Sequence, residues 1–172
     1  VGVLGSLTGV QAVFGQGNIS GAEIVFDEGN AAGGIHGRRI EIVSVDDEST
    51  PARSIAGFRR LVDDERVFGV FGPSSSAIGQ AMEPTLRATT SVPVFISIFS
   101  TPAATEPFKP NVFRTGPLND RLQGIAIADF VLDELKGQKV ALAQQSDEYG
   151  RRGGASLTAR LRERGKPLVA TE

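Results

Sequence analysis

The chain has 172 residues, 40% of them hydrophobic and 22% charged, which is enough apolar material for a folded core and too much for a disordered chain. A formal net charge of -2 and a pI of 5.5 argue against a nucleic-acid partner. No cysteine is present, which excludes disulfides and thiolate metal sites, and no apolar run is long enough to span a bilayer.

The first residues, Val1-Gly2-Val3-Leu4, already read as a strand, so the expectation is that a leader preceding them has been removed. Ser6 to Phe14 reads as a loop. A helix is expected from about Gly15 to Ala32, with Ile19, Ala22 and Phe26 along its inner side and Gly33-Gly34 ending it. Arg39 to Val45 follows as a strand. Asp46-Asp47-Glu48 then reads as a solvated acidic loop, and Thr50-Pro51 as a helix cap with proline in the first turn. Ile55, Phe58, Leu61 and Val62 form that helix's inner face.

Val67 to Phe71 is an almost continuous apolar run, the mark of a strand covered on both faces. Gly72-Pro73 turns the chain. Ser74-Ser75-Ser76 opens a helix whose inner face carries Ile78, Met82 and Leu86. Hydroxyls and free N–H groups at such a turn can hold a carboxylate. Further on come a strand over Val92–Ser97, a loop from Ile98 to Pro110 and a short strand over Asn111–Arg114. A helix over about Asn119–Leu135 and a strand over Lys139–Ala143 follow. A helix then opens at Tyr149-Gly150, carries Leu157 and Leu161 and ends at Gly165, before a last strand from Pro167.

Alternating strands and helices require a parallel sheet with helices on both faces, an α/β fold with right-handed crossovers. If the strand order is 2-1-3-4, the order reverses between the first and third strands. Loops 6–14 and 72–76 then face each other with 98–100 alongside, where ligands sit in such sheets. A boundary is expected at 117/118, with residues 1–117 as one domain and 118–172 as the beginning of a second.

Other chemistries fit less well. The serine turn has the strand-before, helix-after context of a hydrolase elbow but lacks the closing glycine of G-x-S-x-G. The single histidine, His36, falls in a glycine-flanked turn at the opposite end of the sheet. Residues 15–21 nearly match a dinucleotide fingerprint but end on Gly-Asn-Ile-Ser-Gly, with serine where the last glycine or alanine belongs. There is no phosphate-binding G-x-x-x-x-G-K motif. The acids at 46–48 read more simply as a helix-preceding loop than as a Mg²⁺ or Ca²⁺ site. No enzyme activity and no cofactor are expected.

Val3-Leu4-Gly5-Ser6-Leu7-Thr8-Gly9 with Phe14-Gly15, Asn30 to Arg38, Asp46-Asp47 with Pro51-Ala52, and Gly72 to Ser76 occur in this order. They are followed by Ser100-Thr101-Pro102, Phe113-Arg114-Thr115, Asp120, Gln123 and Tyr149-Gly150. Together the chain resembles the type I periplasmic binding proteins of the leucine/isoleucine/valine-binding kind, the solute receptors of ABC transporters. The resemblance implies an N-terminal ligand-binding lobe plus the start of a second. It implies a small carboxylate-bearing ligand such as an amino acid, an ABC permease as membrane partner, and a periplasmic or otherwise extracytoplasmic location. Ser76 would take the ligand carboxylate through its hydroxyl and backbone N–H, with Ser75 beside it in the ligand-binding set. Ile98 would offer backbone N–H and C=O beside it, Phe99 would belong to the same ligand-binding set, and Ser100 would take the family's hydroxyl position. Phe14 would pack on the ligand side chain, and Tyr149 would close from the second lobe. The same fold also serves as the extracellular sensing domain of signalling proteins, which is the alternative function.

Overall fold

The computed structural model describes residues 1–116, 119–137 and 139–172. Packing divides the chain into two compact units, Val1–Phe99 with Ala103–Pro117, and Ser100–Pro102 with Leu118–Glu172. The expected boundary at 117/118 lies outside the described residues.

In the first unit the chain runs β1 (Gly2–Gly5), α1 (Ala12–Ala31), β2 (Val43–Asp46), α2 (Pro51–Arg59), β3 (Val70–Phe71), α3 (Ser76–Ala81), α4 (Glu83–Ala88), β4 (Val94–Ile96) and β5 (Val112–Arg114). The five strands form one parallel sheet in the order β2-β1-β3-β4-β5. The first crossover therefore steps one way from β1 and the next steps back past it. The reversal lies between β1 and β3, where a 2-1-3-4 strand order puts it.

Period-two alternation sorts the strand residues between two faces. Leu4, Val70, Val94, Ile96 and Val112 pack with Phe58, Leu61, Ile78, Met82 and Leu86 of the helices that follow β2 and β3, forming the main core. The intervening residues Phe71, Phe95 and Phe113 point to the other face. There Phe26 of α1 meets Phe71 edge-on at 6.0 Å, and the three strand rings stack at 5.1 and 5.6 Å. Helices thus cover both faces. The expected inner residues of α3 and α4, Ile78, Met82 and Leu86, are all buried.

Two strands are shorter than their apolar runs suggest, each for a local reason. β2 begins at Val43 rather than Arg39 because the Asn30 side chain takes the backbone of Ile40. Its Oδ1 accepts from Ile40 N at 2.7 Å and its Nδ2 donates to Ile40 O at 2.9 Å. β3 begins at Val70 rather than Val67. Val67 N still donates to Leu61 O at the end of the preceding helical turn, and Phe68 is 82% exposed, so the run is not covered on both faces. The 98–110 loop contains a single 3-10 turn, Pro102–Ala104. It is pinned by the buried Lys109, whose Nζ donates to Ala103 O at 2.9 Å and lies 3.4 Å from Glu83.

The second unit holds α5 (Asp120–Asp133), β6 (Ala141–Leu142), α6 (Glu148–Glu163) and β7 (Ala170–Thr171), with β6 and β7 parallel. Both helices have side-chain caps. Asn119 Oδ1 accepts from Leu122 N at 3.0 Å, and Asp147 Oδ1 accepts from Gly150 N at 2.9 Å. Ala128, Leu157 and Leu161 form its core with Leu132, Val140, Leu142 and Leu168. Gly124 lets the helices approach closely, since a Cβ there would come within 2.6 Å of Leu157 N. Among the described residues, no helix is long and apolar enough to cross a membrane and no cluster of His, Asp or Glu could hold a metal ion.

Candidate functional site

The strand-order reversal brings three strand ends together in the first unit. Ser6, the first residue beyond β1, is fully buried, and its N–H donates to Ser74 Oγ at 3.2 Å. Its own hydroxyl donates to Asp47 Oδ1, just beyond β2, at 2.6 Å. The loops after β1, β2 and β3 are thus tied through one residue. Gly15 makes room for this. A Cβ at that position would overlap the Ser6 backbone, so α1 can begin directly against the loop.

The neighbouring acid, Asp46, organises the same loop from outside. Its Oδ1 accepts from Leu7 N at 2.9 Å, Thr8 N at 3.2 Å and Glu48 N at 2.8 Å, and its Oδ2 accepts from the Thr8 hydroxyl at 2.6 Å. Desolvation pushes this carboxyl's pKa up. The Thr8 hydroxyl and the N–H groups of Glu48, Leu7 and Thr8 together outweigh that and hold it below the usual aspartate range. A depressed folded-state pKa means that the stability Asp46 contributes is present above its unfolded pKa and is lost as pH falls through the folded one. Wild type should therefore exceed Asp46→Asn in stability at neutral pH. The difference should vanish in acid, as read by urea unfolding between about pH 7 and about pH 2.

The serine turn follows β3. Gly72 has φ +120 and Gly72 N donates to Phe95 O at 2.9 Å, which fixes the exit from the strand. Of the three serines, Ser74 points inward and is engaged by Ser6. Ser75 is the helix cap, its Oγ accepting from Ile78 N at 3.3 Å. Ser76 is the first residue of α3 and is 6% exposed. Three hydroxyls that read alike in the sequence therefore have three different positions.

The other expected site residues are placed as follows. Phe14 lies in the first turn of α1 and is 46% exposed. Ile98 is half-buried beyond β4. Phe99 is buried in the main core, its ring lying over Gly79 of α3, where a Cβ would come within 2.5 Å of it. The 98–99 segment is thereby packed on the serine helix, with the Phe99 ring turned inward. In the second unit Ser100 is buried and its hydroxyl donates to Asp120 Oδ1, while Asp120 N donates to Ser100 O at 3.0 Å. Tyr149 lies in the first turn of α6 with its hydroxyl 3.2 Å from Gln123 Nε2.

One expectation is overturned. Asp47 is not part of a solvated loop; it is fully buried. The signal was present in the alternation: Val43 and Val45 face the core, and Asp47 continues their side of the strand. Ser6 and Ser74 were also missed, because nothing local in either segment reports that the two loops touch. The hydrolase reading finds no support. Ser74 Oγ accepts from a backbone N–H, and His36, the only histidine, is exposed in a turn between α1 and β2. Hollows of 490 and 290 Å³ open elsewhere, one lined by β6, β7 and α6, the other by α1 and residues 39–42. Neither is lined by Ser75, Ser76 or Ile98.

The family model described as periplasmic binding protein matches residues 1–172. An amino acid binding protein of Pseudomonas aeruginosa is 33% identical over 175 residues, covering 100% of this chain and 46% of the relative. A type 1 periplasmic binding protein of Bordetella pertussis superposes with a TM-score of 0.87 at 29% identity, over 99% of this chain and 47% of that one. The branched-chain amino acid transporter substrate-binding protein LivJ of Streptococcus pneumoniae, solved with isoleucine, gives a TM-score of 0.85 at 29% identity, over 99% and 48%. The chain spans about half the length of the relatives it matches.

Proposed function

We propose, from the premise that this chain belongs to the periplasmic binding protein family, that it is part of a non-enzymatic, extracytoplasmic solute receptor delivering a small carboxylate-bearing molecule, such as an amino acid, to an ABC permease. The first unit is the N-terminal ligand-binding lobe and the second the beginning of the other lobe. Solute binds between the lobes, and the closed, loaded form is what the permease recognises.

The observation that carries this reading is the serine turn at the strand-order reversal, held rigidly by Gly72 and by Ser6 N donating to Ser74 Oγ. Fixed hydroxyl and N–H donors suit a carboxylate, because charge-assisted hydrogen bonds from donors that need no reordering are the strong ones. Ser75 and Ser76 take the carboxylate, Ile98 and Phe99 contribute backbone groups, Phe14 packs on the ligand side chain, and Ser100 and Tyr149 complete the set from the second unit. The isoleucine bound by the similar LivJ protein supports the solute class.

The test is a thermal-shift screen of the full-length protein against the amino acids and small organic acids. A true ligand at a hundred times its dissociation constant adds about 2.7 kcal/mol. If no member of the panel stabilises the protein, the receptor reading is wrong.

A further inference from the structure

The fully buried Asp47 stands out as a group that stability alone does not explain. Its Oδ1 accepts from the Ser6 hydroxyl at 2.6 Å and from Ser49 N at 2.9 Å, while its Oδ2, equally buried, has no hydrogen-bond partner among the described residues. Burying a carboxyl with one oxygen unserved costs free energy. An apolar residue continuing the side of Val43 and Val45 would avoid that cost.

We propose that Asp47 is a positioning residue of the solute site. It never touches the ligand but sets the serine turn through a two-step relay. Asp47 Oδ1 fixes the Ser6 hydroxyl, and Ser6 N–H fixes Ser74 Oγ at 3.2 Å. Ser74 directly precedes the two serines assigned to the carboxylate. Asp47 is itself held by its own backbone, its N donating to Gly5 O at 3.1 Å and its O accepting from Thr50 N at 2.8 Å. The relay thus starts from a point anchored on both β1 and the start of α2. Without it, Ser6 N–H still reaches Ser74 Oγ, but from a loop whose hydroxyl is no longer tied to Asp47, so the position of that donor is less closely set. A displacement of under an ångström at a ligand-binding turn is enough to weaken directional hydrogen bonds.

This inference rests on the receptor reading, and its test separates the two. The full-length protein is titrated calorimetrically with the amino acid or small organic acid that most stabilises it in the screen, well below its unfolding midpoint. Asp47→Ala should weaken binding by about tenfold or more. Asp47→Asn keeps an oxygen acceptor for Ser6 and should bind within about threefold of wild type. A role confined to stability would lower the urea midpoint of Asp47→Ala and leave its dissociation constant unchanged; that result overturns the proposal. Should Asp47→Ala fail to fold, Ser6→Ala, which removes the relay's hydroxyl, decides in the same way. Wild-type protein that binds nothing in the panel overturns the receptor reading itself and this inference with it.

Discussion

Replacing Gly72 with alanine is expected to cost about 3 kcal/mol or more of stability. Two effects add. The backbone at Gly72 has φ +120, a region that L side chains rarely adopt. A Cβ there would also overlap the carbonyl oxygen of Leu4. That carbonyl cannot yield, because Leu4 lies in β1, paired with β2 on one side and adjacent to β3 on the other, with its side chain fully buried. Urea unfolding of Gly72→Ala measures the loss. Gly17→Ala is the matched control: Gly17 is inside α1 with nothing within 4 Å of a Cβ, so alanine there should add about 0.5–1 kcal/mol. A Gly72→Ala protein as stable as wild type would show that the turn is not held as described, and the ordering of Ser74–Ser76 would lose its physical basis.

The second large effect is on ligand binding. Ser76→Ala removes one hydroxyl from the proposed carboxylate site, and a hydrogen bond to a charged group contributes roughly 1.5–3 kcal/mol. A loss near 2 kcal/mol weakens binding about thirtyfold. The stabilisation seen at a hundred times the wild-type dissociation constant should then fall from about 2.7 to under about 1 kcal/mol. Ser75→Ala makes the comparison informative. Ser75 is the residue whose Oγ accepts from Ile78 N, so its removal should lower the stability of the unliganded protein by about 1 kcal/mol. If Ser76→Ala is stabilised by ligand as fully as wild type, Ser76 has no part in binding. The carboxylate then has to be held by other groups of the same turn.

The three serines mark the limit of local sequence pattern. Gly-Pro after an apolar run announces the turn, and three serines announce a helix start. Which of three adjacent hydroxyls caps, which points inward and which begins the helix is set by backbone angles at the turn. Phe99 is a similar case. Its ring lies over the serine helix, and its direction was decided by Gly79, a residue without a side chain twenty residues earlier.

What the sequence determined by itself was everything carried by local pattern. The alternation of strands and helices, the parallel sheet, and the inner faces of α3 and α6 all follow from periodicity and from glycine and proline positions. Only the tertiary structure decided what the buried Asp47 bonds to, that Asn30 shortens β2, and that Ser6 joins three loops. These depend on contacts between segments roughly ten to seventy residues apart, whose meeting is fixed by how the sheet closes. A side chain's polarity says what it can bond to, and only the packed chain says what lies within reach.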